Sequence, residues 1–403
     1  MNSGPVLAGG RVLYADRAGR RAVRVLAQPP AGGPATELAR VPVPRSRVHN
    51  WPFWDFAAAP GGLALRVGTA DGPRRLWAGP GPLTLVQRHA AAGAPMFEQD
   101  DLFVVPGGPL VIERTDRFGK RLRAMLRPPG GPARRLSMPA GADLHLLAVA
   151  GSLAAVPAGD AIALLDLPSG AVRRRLPLGD FAGATILGLG VSAAGDVALT
   201  VEDGSGRDFL GWAPAGAAQP EVALAGDEFG LVRTAGGRIA IQVPAVHGDG
   251  TRVAVLDPAA GELFHGPPAA AIRSLEFDGG YVAWSTDGCQ LVSEAAPGAS
   301  TDRVPAGPCV RTEASFTAFN DVRPEGHPPA LPVRVRCLTA PGRACRVDLR
   351  VYANERGRIG RRVARIPVGR TRLVRIRARP APLVIVTSRV VDPDGHRRIA
   401  VIL

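Results

Sequence analysis

Residues 233–242 read RTAGGRIAIQ and residues 276–285 read EFDGGYVAWS. In both, a short apolar run meets a pair of glycines and a second apolar run follows. Glycine supplies the positive φ that a tight two-residue turn demands, and alternating apolar residues on either side are strand-like, so each stretch reads as a hairpin. Working outward, the pattern returns as VLAGGRVLYA, AAPGGLALRV, VVPGGPLVIE, AVAGSLAAVP and VSAAGDVALT. The anchoring glycines are Gly10, Gly62, Gly108, Gly151, Gly195, Gly237 and Gly280, spaced 42 to 52 residues apart. Regular self-similarity of this length marks stacked repeats.

Most units carry a second hairpin. Residues 161–178, AIALLDLPSGAVRRRLPL, and residues 253–264, VAVLDPAAGELF, both place an aspartate four residues before a glycine: Asp166 with Gly170, Asp257 with Gly261. Aspartate accepts hydrogen bonds from its own turn and glycine closes it. Four strands in about 43 residues make a small antiparallel sheet that cannot bury both faces alone, so the units must stack. Radial stacking of such sheets is the β-propeller solution.

On these seven hairpins the chain resembles the β-propeller superfamily, nearest in texture to WD40-like, TolB-like and quinoprotein-like repeats. The resemblance covers residues 5–305 and implies an all-β fold: a seven-bladed propeller over residues 1–305, then a smaller domain over 306–403. No unit holds the Gly-His and Trp-Asp pair of true WD40 repeats. The Asp-xxx-Gly hairpins lack the tryptophan that follows in quinoprotein blades, so no quinone or other cofactor is expected. Two stacked β-sandwiches are the competing fold and fit the repeat less well.

The charge is unevenly placed. The chain carries 49 Lys plus Arg against 35 Asp plus Glu, a formal +14. Residues 309–403 hold 20 arginines and 7 acidic residues, a net +13, which leaves 29 basic and 28 acidic groups, a net +1, in residues 1–308. Strand-like runs in this last quarter include PVRVRC, CRVDLRVY, RRVARIPV and TRLVRIRARP. In the last of these Val374, Ile376 and Ala378 alternate with Arg375, Arg377 and Arg379, a half-buried strand with a basic outer face. About six such runs predict a small immunoglobulin-like sandwich. The region resembles C-terminal modules of uncharacterised exported proteins of high-G+C bacteria, with a cysteine-bearing first hairpin and arginine-rich strands.

Cys337 and Cys345 sit in the segment VRCLTAPGRACRVDL, residues 335–349. Paired as opposite positions of one hairpin, they bring Val335 opposite Val347 and Val333 opposite Leu349, with Arg334 facing Asp348 and Arg336 facing Arg346 outside. Directly opposed cysteines are within disulfide reach. A zinc knuckle would want further ligands in CxxC spacing, which neither Cys289 nor Cys309 supplies. The register favours Cys337–Cys345 and, by elimination, Cys289–Cys309; free buried thiols and a metal site are the alternatives. Paired cysteines favour an oxidising compartment, extracellular or at the cell envelope. No charged start followed by an apolar stretch is visible after Met1, so export implies a start upstream of the one given.

In propellers as a family, ligands bind where the loops between blades ring the central channel. Those loops here carry Trp51, Trp54 and Asp55, then Glu98, Asp100 and Asp101, then Asp143 and His145, then Asp180, then Asp227 and Glu228. Such a ring suits a cationic ligand, a sugar or Ca²⁺. The competing reading is that each aspartate caps its own turn and the aromatics pack between blades. No GxSxG, HExxH or phosphate-binding loop occurs, and GLGVSAAG at 188–195 lies in a hairpin without a following helix. The sequence therefore favours a noncatalytic exported protein. Its propeller would recognise a protein or glycan, and Arg334, Arg336, Arg375, Arg377 and Arg379 would contact an anionic envelope polymer. A glycan lyase, hydrolase or lactonase using loop carboxylates is the alternative. With few aromatic residues among the arginines, nucleic acid is not an expected partner.

Overall fold

A computed structural model describes residues 4–18, 21–44, 52–69, 74–89, 101–114, 122–244, 251–266, 272–286, 290–297, 315–322, 330–337, 344–353, 357–367, 370–379, 381–390 and 400–402. The chain divides into two compact units, one of Met1–Arg45 with Trp51–Pro308 and the other of Ser46–Asn50 with Cys309–Leu403.

The first unit holds seven antiparallel sheets, each a simple meander, over residues 6–42, 52–89, 102–135, 148–177, 185–226, 232–265 and 272–294. The last has three strands among the described residues and the others have four. The strands open into hairpins where the glycine pattern put them: Ala8 pairs with Arg11, Ala59 with Gly62, Val105 with Gly108, Ala150 with Leu153 and Ala235 with Arg238. In the second and seventh sheets the positive φ falls one residue before the anchoring glycine, on Gly61 (84°) and Gly279 (97°). The second hairpins also form as the sequence reads, with the Asp257 carboxylate accepting from the amides of Ala259 and Ala260 at 2.9 and 3.2 Å.

Seven apolar clusters show how the sheets are arranged, because each is shared by two consecutive sheets. Leu13, Val25, Trp54 and Leu65 join the first and second; Ala64, Leu76, Leu102 and Val111 join the second and third. The series continues between third and fourth, fourth and fifth, fifth and sixth, and sixth and seventh. The last cluster, Val12, Tyr14 and Leu26 with Ala283 and Val292, returns from the seventh sheet to the first. Alternate side chains on each strand thus face opposite neighbours, and the ring closes as a seven-bladed β-propeller. The first strand of every blade packs against the first strand of the next, which places these strands innermost.

The second unit has a four-stranded sheet, in which Ala344–Ala353 lies between Gly357–Pro367 and Ala381–Val390, with Ser315–Val322 beyond the latter. A three-stranded sheet sets Ala330–Cys337 between Thr371–Arg377 and Ala400–Ile402. Leu331, Val333, Val335, Val374 and Ile376 from the three-stranded sheet and Val347, Leu349, Val351 and Ile366 from the other form one buried core.

This corrects the cysteine hairpin. Ala330–Cys337 and Ala344–Ala353 are not partners; they belong to different sheets, Val333 pairing with Val374 and Val347 with Ala364 and Val390. Arg334 lies opposite Leu373, and Asp348 opposite Val363 and Arg389. The alternation that buries Val333, Val335, Val347 and Leu349 together is the same whether two strands are neighbours or face each other across a core. Periodicity alone therefore could not separate the two.

Candidate functional site

Two regions carry the candidate side chains: the propeller's blades and loops, and the outward faces of the second unit.

On the propeller, the period-two alternation of Pro52–Ala59 sends Trp54 and Phe56 toward the first blade, where they are 4% and 3% exposed. Trp54 is thus a packing residue and not part of a binding mouth. Asp55, between them, pairs with Arg66 on the neighbouring strand, the guanidinium donating to its carboxylate at 2.9 Å. Burial pushes the Asp55 carboxyl above the usual carboxylate range, and the charge and hydrogen bond of Arg66 offset this only in part. Glu276, on the first strand of the seventh blade, is likewise raised by burial against the smaller opposing effect of Arg233. Arg233 lies on the first strand of the sixth blade, its Nε 3.9 Å from the Glu276 carboxylate, so the two form an ion pair between innermost strands. The carboxylates keep about a third of their surface (32% for Asp55, 34% for Glu276) while sensing low-dielectric surroundings.

The other described loop carboxylates are exposed, and one of them caps a turn. Asp143 caps the three-residue 3₁₀ turn Leu144–Leu146, accepting from the His145 amide at 3.0 Å, and both Asp143 and His145 are exposed. Asp180 is exposed within the 3₁₀ turn Gly179–Phe181. Asp227 and Glu228 are exposed, Glu228 in the left-handed region at φ 56°, and the turn is anchored by the Phe229 amide donating to Asp208 at 2.6 Å. Phe181 and Phe229 are buried between blades. Asp101 is exposed, and its carbonyl accepts from the Ile112 amide. Trp51, Glu98 and Asp100 lie outside the described residues. Among the described residues no group of three or more His, Cys, Asp or Glu could hold a metal ion.

Arg66, Arg233 and Glu276 escaped the sequence reading although the repeat contained a signal. Arg233 and Glu276 open successive ten-residue motifs and pair with Ala240 and Ala283, equivalent positions of adjacent blades. Opposite charges at one repeat position on neighbouring units predict an ion pair across the blade boundary.

On the second unit, Arg334, Arg375, Arg377 and Arg379 are all exposed. The Arg336 side chain is outside the described residues, its backbone pairing with Thr371. Cys337 and Cys345 are strand residues of different sheets; Cys289 and Cys309 lie outside the described residues. On the four-stranded sheet, Asp348 is 3% exposed although its strand alternation points it away from the core. Arg350 and Arg361 cover it, donating at 2.7 and 3.1 Å and at 2.8 and 3.1 Å to its two oxygens. Burial raises its carboxyl, but the hydrogen bonds from Arg361 and Arg350 and their charges outweigh burial, and the net shift is downward.

No helix among the described residues is long and apolar enough to cross a membrane. No family model matches the chain, and no curated protein matches it. Solved structures do. The β-propeller domain of the trilobed protease from Pyrococcus furiosus aligns over 76% of this chain and 96% of its own, at 9% identity and a TM-score of 0.47. A puromycin-hydrolysing peptidase of Mycobacterium tuberculosis aligns over 82% of this chain and 57% of its own, at 17% identity and 0.46. The WD40 domain of SCAP from fission yeast aligns over 69% and 80%, at 10% identity and 0.41. At this degree of similarity the activities of those proteins do not pass to this chain, which stands on its own geometry as a seven-bladed β-propeller followed by a second all-β unit.

Proposed function

We propose that the protein is a noncatalytic, exported binding protein. Its second unit, an immunoglobulin-like sandwich, holds it to an anionic polymer of the cell envelope while the propeller recognises a protein or glycan. The observation that carries this reading is the charge balance on the second unit's surface. Among its described side chains, eleven arginines are exposed and the one carboxylate, Asp348, is buried beneath two further-reaching guanidinium groups. Isolated surface charges are screened within about 8 Å at physiological salt, but a dense one-sign face sums to a field that a polymer of opposite sign meets along its length. Guanidinium groups suit phosphate and carboxylate oxygens, and binding releases counterions. Phe316, Phe319 and Tyr352 are the few aromatic residues on the strands of these sheets, so aromatic interleaving for base stacking is poor.

The propeller's part of this reading is supported by the exposed loop carboxylates Asp101, Asp143, Asp180, Asp227 and Glu228, of which Asp143 accepts from an amide of its own turn. The disulfides Cys289–Cys309 and Cys337–Cys345 belong to the same proposal. With Cys337 and Cys345 on strands of different sheets, their bond would staple one sheet to the other. The second reading, a propeller enzyme using loop carboxylates, would draw on Asp55, whose raised carboxyl is paired with Arg66, as that of Glu276 is with Arg233.

The test is retention of the full-length protein on an immobilised anionic polymer across a salt series. Binding is expected to fall steeply and linearly in log–log form. Arg334→Gln, Arg375→Gln and Arg377→Gln together are expected to make the slope shallower, by about one for each arginine that had met an anionic group of the polymer. Binding that does not weaken as salt rises would overturn the reading. Nonreducing mass spectrometry showing four free thiols in the native protein would overturn export and both bridges.

A further inference from the structure

We propose that Arg346 and Arg365 form a clamp for a phosphate group of the anionic polymer. This inference deepens the reading above and rests on it.

The geometry comes from one register. Arg346 of Ala344–Ala353 is directly opposite Arg365 of Gly357–Pro367; two residues on, Asp348 is opposite Val363, and two further on, Arg350 is opposite Arg361. Val347, Leu349 and Val351 enter the core, so Arg346, Asp348 and Arg350 share the outward face. Two arginine pairs therefore flank one carboxylate on a single surface. Like charges directly opposite on adjacent strands are destabilising unless something neutralises them. For Arg350 and Arg361 the neutralising group is internal: each oxygen of Asp348 accepts from the guanidinium groups at 2.7 to 3.1 Å.

Asp348 is thereby saturated, and it has nothing left for the other pair. Arg346 and Arg365 are both exposed, and neither guanidinium has a hydrogen-bond or ion-pair partner among the described residues. The four arginines and one carboxylate leave an excess of three positive charges on this patch. The filled pair shows what fits the empty one: an oxyanion offering at least two oxygens, placed between opposed guanidinium forks. A phosphate within a polymer offers two unbridged oxygens sharing one negative charge on a tetrahedral centre, which two opposed guanidinium groups can meet from either side. Val363, 43% exposed between the two pairs, keeps the surface open where a polymer must pass.

The experiment follows binding of fluorescently labelled inorganic polyphosphate to the full-length protein by anisotropy, over a salt series. Arg346→Gln and Arg365→Gln are each expected to weaken binding five- to tenfold. The double variant should be little worse than the poorer single one, because both hold the same group. Asp348→Asn is expected to move the other way, tightening binding several-fold by releasing Arg350 and Arg361 as a second clamp, with its unfolding midpoint followed in parallel. The exposed arginine variants keep the test decisive if that variant does not fold. Losses that simply add in the double variant, or a change of less than twofold, overturn the clamp. If binding survives there but disappears in Arg375→Gln with Arg377→Gln, the adhesion reading stands and the clamp falls. If the wild-type protein does not bind polyphosphate, both fall. Equal competition by polyglutamate overturns the assignment to phosphate.

Discussion

Glu113 is a buried carboxylate of the propeller held by two arginines. It lies on the second strand of the third blade at 6% exposure and accepts from Arg123 at 2.9 and 3.1 Å and from Arg127 through both Nε and Nη2. Burial raises its carboxyl, yet the hydrogen bonds and charges of Arg127 and Arg123 prevail and hold it below the usual carboxylate range. Glu113→Gln leaves Arg127, only 13% exposed, without its counter-charge and is expected to destabilise the propeller by on the order of 3 kcal/mol in urea unfolding. The sign with pH follows from the downward shift. The contribution of Glu113 is complete above the unfolded-state value and is lost as pH falls through the folded one, so the gap between wild type and variant should close on acidification. Asp55 and Glu276 are shifted upward and act oppositely, adding stability at low pH that is lost as pH rises through their folded values. Such pairings were poorly legible in the sequence. The hairpin register read from the sequence sets Asp348 opposite Arg334, while its real partners, Arg350 and Arg361, are set by which strands share a sheet.

At the scale of the element, the blades were readable because a hairpin is local: turn glycines and period-two alternation lie within ten residues of one another. What the repeat did not convey is how closely neighbouring blades approach. Gly188 and Gly190 of GLGVSAAG, a stretch that superficially imitates a dinucleotide loop, have their explanation there. A Cβ on Gly188 would stand 2.9 Å from the Gly230 carbonyl and 2.8 Å from the Thr200 hydroxyl, which donates to that same carbonyl. One on Gly190 would stand 3.0 Å from the Arg233 backbone. The first strand of the fifth blade therefore lies backbone to backbone against the approach to the sixth, and only glycine leaves room. Gly188→Ala is expected to cost about 1–3 kcal/mol, because the obstructing atom is backbone and cannot swing aside. Gly204→Ala, with open space around its Cβ, should stay within about 0.5 kcal/mol. Equal effects of the two substitutions in chemical denaturation would refute close packing of the innermost strands as their cause.

At the scale of the molecule, the ring and the charge belong to different parts of the chain. Every one of the propeller's seven apolar clusters draws its residues from positions 6–295, and the second unit's cluster lies within 331–378. The join between last and first blades is made by side chains, Tyr14 and Leu26 against Ala283 and Val292, without a strand of one sheet completing the other among the described residues. Among the described residues, this closure draws on nothing beyond Ala295. A fragment of residues 1–308 should then unfold cooperatively, with a Tm within a few degrees of the propeller transition in the full chain. Its formal charge drops from +14 to +1, since residues 309–403 contribute 20 arginines against 7 acidic groups. The same fragment should lose salt-sensitive retention on anionic polymer, because that binding scales with the number of cationic groups that meet the polymer. Calorimetry and the retention assay on one preparation check both halves. A fragment that folds yet still binds would move the polyanion site onto the propeller, and one without a thermal transition would show that the ring depends on the second unit.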